Sequence, residues 1–224
     1  VYKAVNNIKS SLPEEIPLIG FCGSPWTLAA YSIEGRSSKD FEKTLGFLES
    51  NQKDVHDLLT KYTDACFLYL RKQVQSGADV IQIFDSWANL LTKEDLIEFS
   101  FNYINSLISA LKLDPITKNI PVIIFARNPK CNIEELINTS ADCISLFWSM
   151  NDLNFEVAKN KVAIQGNLDP KILLESDETI KRETYKILER FKEYPGYIFN
   201  LGHGITPDIS PDKIKYLTNI VREY

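Results

Sequence analysis

The chain has 224 residues, of which 44% are hydrophobic and 25% are charged, and these proportions are typical of one ordinary soluble domain. They exclude a disordered chain, a collagen-like repeat and a small disulfide-stapled scaffold. The 25 basic and 30 acidic side chains give a net charge of −5, and no cluster of Lys and Arg exceeds two residues, so we expect no nucleic-acid partner.

The cysteines and the apolar runs bear on the cellular location of the protein. The four cysteines are far apart and form no C-x-x-C pair; they are Cys22, Cys66, Cys131 and Cys143. This spacing is typical of reduced, mostly buried thiols, and we therefore expect a cytoplasmic protein. No apolar run approaches the roughly 18 residues that a membrane span requires, so we also expect no membrane partner.

Six short apolar runs, rich in Ile, Val and Phe, predict strands at residues 17–21, 80–84, 121–126, 143–147, 161–165 and 197–200. Because these runs do not alternate with polar residues, we expect both faces of each strand to be covered. Apolar residues three and four apart predict helices at residues 41–48, 55–76, 95–111, 133–137, 153–158, 179–191 and 210–224. Thr92 and Asp95 have the spacing of a capping box at the start of the third of these helices.

Each predicted strand is followed by a helix and no two strands are joined by a tight hairpin, which indicates a parallel sheet. Polar residues follow the carboxyl end of every strand, and this is typical of (β/α)8 TIM barrels. Neither a G-x-G-x-x-G motif nor a P-loop motif follows any strand. We therefore predict an α/β protein with a TIM-barrel fold, as a single domain over residues 1–224.

The length falls short of a complete barrel. Six units of roughly 37 residues are present, whereas eight units would need roughly 300 residues. The chain begins at Val1 and its only methionine is Met150. We therefore expect a fragment that lacks two β/α units at its front, with unpaired sheet edges at residues 17–21 and 197–200 that make an isolated fragment poorly soluble.

Three strand-end segments carry candidate functional side chains. Residues 23–27 form a Gly-Ser-Pro-Trp-Thr turn that leads to Tyr31, whose phenol could serve a carboxylate, although the segment could equally be a packed strand-to-helix turn. Ser86 follows the second strand and could donate to an anionic oxygen or cap the next helix. His203 lies between Gly202 and Gly204, where a ligand can come close, or where a neighbouring carbonyl could satisfy the imidazole.

Other polar features favour structural interpretations. His56 lies between Asp54 and Asp57 in a predicted helix, and we expect it on the solvated face. The Gln-Gly-Asn-Leu-Asp-Pro turn at residues 165–170 has the composition of ordinary turns and caps. Neither H-x-x-x-H nor H-x-C occurs, so we predict no metal site.

Taken together, several segments resemble the uroporphyrinogen decarboxylase family, from residue 16 to the end of the chain. They are PLIGFCGSPWTL at residues 17–28, Tyr31 with Glu34-Gly35 and Ser37-Ser38, GADVIQIFDS at 77–86, QGNLDP at 165–170 and NLGHGI at 200–205. Each segment alone is a weak signal, but their order and spacing together are highly specific.

The resemblance implies a cofactor-free lyase of haem and porphyrin biosynthesis that converts the four acetate side chains of uroporphyrinogen III to methyl groups, giving coproporphyrinogen III. It implies a TIM barrel whose third to eighth units are present here, and a homodimer at full length. Residues matching Tyr31, Ser86 and His203 contact the tetrapyrrole in that family, and Phe21 matches a phenylalanine that lines its cleft.

The resemblance also implies that the catalytic machinery is incomplete. The family's carboxylate-gripping arginines and its aspartate facing the pyrrole nitrogens follow the first two barrel strands, and neither motif occurs in residues 1–224. We therefore assign no catalytic residue to this chain and expect it to be inactive alone. Two alternatives stay open: a related TIM-barrel methyltransferase acting on corrinoid or thiol substrates, which should carry zinc ligands, and a non-catalytic fragment.

Overall fold

The computed structural model describes residues 1–38 and 40–224 and has one parallel sheet of six strands. The strands are β1 (Ile19–Gly23), β2 (Val80–Asp85), β3 (Val122–Ala126), β4 (Cys143–Ser145), β5 (Ala163–Gln165) and β6 (Tyr197–Ile198). They pair in sequence order, so each crossover leads to the neighbouring strand, as in a TIM barrel. The predicted parallel α/β fold with six β/α units is confirmed.

The helices are α1 (Tyr2–Ser11), α2 (Pro25–Glu34), α3 (Glu42–Ser50), α4 (Gln52–Gln75), α5 (Lys93–Asp95), α6 (Asn102–Leu113), α7 (Ile133–Ile137), α8 (Asp177–Phe191) and α9 (Pro211–Glu223). A π-helical segment, Leu96–Phe101, joins α5 to α6. Thr92 begins this composite helix, since its hydroxyl accepts a hydrogen bond from the Asp95 amide at 3.1 Å. Helix α1 and the 3₁₀ turn Pro170–Leu174 were not predicted from the sequence, and residues 153–158 form only a 3₁₀ turn, Phe155–Val157.

The strands have two faces with different surroundings. In β2, Ile81 and Ile83 are fully buried toward the layer of α2, α4 and α6, whereas Gln82 and Phe84 alternate onto the inner face. The expectation that both faces of every strand are covered is wrong for the two edge strands: Ile198 in β6 is 45% exposed, and Phe21 in β1 is 60% exposed. The physical reason is that β1 and β6 are edge strands, and within the described residues nothing packs over these side chains fully.

The sheet order also places β6 at the opposite edge, so the two unpaired edges lie where the sequence predicted them. The effect of those edges on solubility stays a prediction. Two apolar clusters form the core: a large one under β1 to β5 and a smaller one formed by Leu168, Leu173 and residues of α8 and α9. Across the described part of the chain, no helix is both long and apolar enough to cross a membrane.

Candidate functional site

A cavity of about 430 Å³ opens among the carboxyl ends of the inner strands. Its lining residues are Gln82, Phe84, Ser86, Phe125, Ser145, Asn200, Leu201, His203, Gly204 and Ile205. Ser86 follows β2 and His203 follows β6, so residues separated by more than 100 positions reach one space. Most of the rest of the wall is aromatic, aliphatic or amide side chains, which can hold an apolar ring.

Ser86 is held by a network of hydrogen bonds centred on Asp85. The Ser86 amide donates to the Thr27 hydroxyl at 2.9 Å, and that hydroxyl donates to the Asp85 carboxylate at 3.1 Å. The Ser24 hydroxyl at 3.0 Å and the Ser100 hydroxyl also donate to Asp85. The loop after β1, the end of β2 and the π-helical segment are therefore tied to one carboxylate.

Asp85 is completely buried, and this burial raises its pKa above the ordinary value of 3.8 because a charge without water is disfavoured. The donated hydrogen bonds from Ser100, Ser24 and Thr27 oppose that rise, since each stabilises the ionised form. The sequence indicated Asp85 only as the residue before Ser86. A lone acidic residue that ends an apolar strand was the signal for its role at the centre of this network.

His203 is positioned by close backbone packing rather than by such a network. Its ring meets Phe147 edge-on at 5.9 Å and Phe125 at 6.3 Å, and the imidazole is exposed. The Nδ1 atom lies 3.3 Å from the Gly204 carbonyl, a long contact that leaves Nε2 for a ligand. A Cβ at Gly202 would lie 2.4 Å from the Trp148 backbone nitrogen, so only glycine allows this approach.

The other two predicted site residues lie beside the cavity rather than in its lining. Phe21 meets Phe84 edge-on at 5.8 Å and so extends the aromatic wall toward the β1 edge. Tyr31, on α2, meets the Trp87 ring at 5.7 Å and is 39% exposed. The structure therefore brings Ser86 and His203 together directly, and connects Phe21 and Tyr31 to them through Phe84 and Trp87.

The segments that allowed structural interpretations do have structural roles. Trp26 is fully buried and its indole N–H donates to the Trp87 carbonyl at 3.1 Å, so the turn at residues 23–27 is a packed strand-to-helix turn. Asn167 in the 165–170 turn is buried and its amide donates to the Phe147 carbonyl at 3.2 Å.

The expectation that His56 lies on the solvated face of its helix is correct only in part, because 37% of its side chain is exposed and the rest packs against the neighbouring helix. Its imidazole is half-buried, stacks on Phe99 at 4.8 Å, and meets the Tyr103 hydroxyl at 2.7 Å and Glu98 at 3.2 Å. The physical reason is that the composite helix α5–α6 packs against α4 on that face. His56 therefore lies in the helical layer and is not among the residues that line the strand-end cavity.

Within residues 1–38 and 40–224, no group of three or more His, Cys, Asp and Glu side chains is placed to hold a metal ion. The described cysteines are all free thiols.

A methyltransferase from Methanosarcina mazei has a similar fold, with a TM-score of 0.77 over 99% of this chain and 63% of that chain. At 20% identity, this likeness shows the fold alone.

Two other proteins have a higher sequence identity to this chain than that methyltransferase has. A protein named uroporphyrinogen decarboxylase from Ruthia magnifica subsp. Calyptogena magnifica is 42% identical over 226 residues, and one from Vesicomyosocius okutanii subsp. Calyptogena okutanii is 41% identical. Each comparison covers 100% of this chain, and the chain spans 65% and 64% of the length of these two relatives. A sequence model described as uroporphyrinogen decarboxylase (URO-D) matches residues 1–224. The chain belongs to the uroporphyrinogen decarboxylase family.

Proposed function

We propose that this chain supplies part of the substrate site of an enzyme that decarboxylates the four acetate side chains of uroporphyrinogen III and yields coproporphyrinogen III. The single observation that carries the proposal is the convergence of Ser86 and His203 on one cavity at the strand ends. Family membership supplies the substrate class. Tyr31, Ser86 and His203 are the proposed substrate-binding donors, and Phe21 is the proposed wall of the cleft.

The chemistry of the reaction fits a site without a metal or an organic cofactor. Loss of CO₂ leaves an electron pair on the former acetate carbon, which needs an electron sink. A pyrrole protonated at a ring carbon accepts that pair, and a second proton then completes the methyl group while the ring-carbon proton is released. The protein must therefore bind carboxylates, deliver a proton and stabilise positive charge on the pyrrole.

The proposed donors supply only part of the required free energy. A hydrogen bond to a charged group contributes roughly 1.5 to 3 kcal/mol, so Tyr31, Ser86 and His203 together contribute on the order of 5 to 9 kcal/mol. Enzymes commonly lower a barrier by about 8 to 23 kcal/mol. We therefore propose that residues 1–224 alone do not decarboxylate the tetrapyrrole, and that arginines and an aspartate outside them complete the site.

The test compares two proteins. One is residues 1–224 alone, and the other, called the extended protein, is this chain set in place of the matching segment of the Ruthia magnifica relative. Both receive uroporphyrinogen III under reducing conditions, and products are resolved by chromatography. We expect coproporphyrinogen from the extended protein and none from residues 1–224.

Three controls make the result decisive. The unmodified relative verifies the assay, and a cooperative thermal transition verifies that the extended protein is folded. A folded extended protein without product would contradict the proposed activity. Turnover by residues 1–224 at the relative's rate would contradict the proposed dependence on other residues.

A cytoplasmic location and a homodimeric assembly are parts of the same proposal, and family membership supports them. Light scattering of the extended protein tests the assembly, with a mass of two subunits as the expected result. A single-subunit mass across a range of concentrations would contradict the dimer.

A further inference from the structure

Arg127 has no partner of opposite charge among the residues that the structure describes. It directly follows β3, is half-buried, and places its guanidinium carbon 5.5 Å from the centre of the Trp87 ring. No ion pair or side-chain hydrogen bond engages this guanidinium anywhere in the described ranges 1–38 and 40–224. A half-buried guanidinium without a counter-charge is free to make charge-assisted, bidentate hydrogen bonds with an anionic ligand.

The strand register places Arg127 beside Ser86. Asp85 pairs with Ala126 across β2 and β3, and the Arg127 amide donates to the Asp85 carbonyl at 3.0 Å, so the pairing continues one residue further. Side chains two residues apart on a strand share a face. Arg127 therefore shares the inner face with Phe125, as Ser86 does with Phe84, and both Phe125 and Phe84 line the cavity.

Trp87 links three hydrogen-bond donors, two through contacts with its ring and the third through the peptide bond to the residue before it. Tyr31 meets this ring edge-on at 5.7 Å, Arg127 lies over it, and Ser86 precedes it in the chain. Within the residues that the structure describes, the hydroxyl groups of Tyr31 and Ser86 also have no acceptor. Three unengaged donors fit a group that only accepts hydrogen bonds, and a carboxylate is such a group.

We propose that Arg127, with Ser86 and Tyr31, forms a subsite for one side-chain carboxylate of the tetrapyrrole, a role that rests on the proposed function. None of the residues lining the 430 Å³ cavity is Lys or Arg, so the cavity itself holds no permanent positive charge for the acidic substrate. In this proposal, Arg127 supplies a permanent positive charge beside the cavity. The Trp87 ring holds the guanidinium in place and leaves its N–H fork free for a bidentate contact.

The test uses the extended protein with Arg127→Gln, Arg127→Lys and, as the matched control, Arg222→Gln in the exposed last turn of α9. The KM and kcat for uroporphyrinogen III are measured together with the affinity for coproporphyrin, a stable tetracarboxylate probe, by quenching of tryptophan fluorescence. We expect Arg127→Gln to raise KM and the probe's Kd about 10-fold or more, with kcat within about 2-fold because the contact is made before the reaction.

The other variants sharpen the interpretation. Arg127→Lys keeps the charge but loses the planar fork, so its KM should rise about 3-fold, and Arg222→Gln should leave KM within about 2-fold. Salt should weaken probe binding less in Arg127→Gln than in the parent protein, because one ionic contact is gone. If Arg127→Gln does not fold, the KM and the probe Kd of Arg127→Lys are the test, and values equal to those of the parent protein would overturn the subsite.

The outcomes separate the subsite from the proposed activity. Turnover by the parent protein with an unchanged KM and probe Kd in Arg127→Gln would overturn the subsite and leave the activity standing. Probe binding that depends on Arg127 without any turnover would support the subsite and contradict the activity. A fall in kcat at unchanged KM and Kd would also overturn the subsite, since it would assign Arg127 to the transition state alone.

Discussion

The two halves of the sheet position their functional side chains by different means. In the β1–β3 half, strands of five or six residues end in a network in which three hydroxyl groups donate to the buried Asp85. In the β4–β6 half, strands of two or three residues carry no such network, and His203 depends on the contact of Gly202 with the Trp148 backbone. Ser86 is therefore positioned mainly by hydrogen bonds and His203 mainly by steric fit, so the two positions should be sensitive to different kinds of substitution.

The largest expected effect is from Asp85→Ala, which removes the acceptor at the centre of the β1–β3 network. It leaves the buried hydroxyls of Ser24, Thr27 and Ser100 without this partner, and each unsatisfied buried donor costs about 1 to 3 kcal/mol. We expect the free energy of unfolding of the extended protein to fall by about 3 kcal/mol or more, measured by urea denaturation at pH 7. A loss below about 1 kcal/mol would show that the network does not hold this half together.

Gly202→Ala tests the β4–β6 half. The added Cβ would lie 2.4 Å from the Trp148 nitrogen and 2.5 Å from its Cα, and these are backbone atoms that cannot rotate away. We expect a loss of about 2 kcal/mol in the free energy of unfolding, within the usual cost of overpacking. The measurement is the same urea titration.

Gly204→Ala is the matched control for that substitution. It lies two residues away, on the other side of His203, and an added Cβ there meets no atom within 4 Å. Its free energy of unfolding should stay within about 0.5 kcal/mol of the parent protein. Equal losses for the two alanines would mean that backbone freedom, rather than the contact with Trp148, determines stability at this turn.

The same difference between the halves explains what the sequence could reveal. Apolar runs predicted six parallel strands because strand pattern is local, and the family resemblance indicated Ser86 and His203 as residues of one site. Sequence pattern could not show that β1 is open on one face, because exposure depends on what lies beside an edge strand. It also missed the contacts of His56 with Glu98 and Tyr103, which join segments more than 40 residues apart.

Asp85→Asn gives a smaller effect that isolates the charge of the network from its shape. Burial raises the pKa of Asp85, so the stability that this carboxyl contributes is complete below its unfolded pKa, near 3.9, and is lost as the pH rises through its folded pKa. Asparagine does not titrate. The free energy of unfolding of the parent protein minus that of Asp85→Asn should therefore decrease from about pH 4 upward and then level off.

Asp208→Asn is the control for this pH dependence. A hydrogen bond from the Thr206 hydroxyl lowers the pKa of the exposed Asp208, so the corresponding difference should rise with pH over the acidic range, with the opposite sign. Urea titrations at several pH values measure both variants. A difference for Asp85→Asn that rises with pH would contradict net destabilisation of its charge by burial.

The smallest expected effect tests whether the two halves act on one ligand. Ser86→Ala and His203→Ala, singly and combined in the extended protein, form a double-mutant cycle read from the Kd of coproporphyrin. If both side chains contact the same bound tetrapyrrole across the cavity, the losses should be non-additive, with a coupling free energy of about 0.5 kcal/mol or more. Ser86→Ala combined with Arg222→Gln should show additivity, since no residue of α9 is among the residues that line the cavity. Additivity in both cycles would mean that Ser86 and His203 contribute independently to the binding free energy. The contact at the end of β2 would then not depend on the contact after β6.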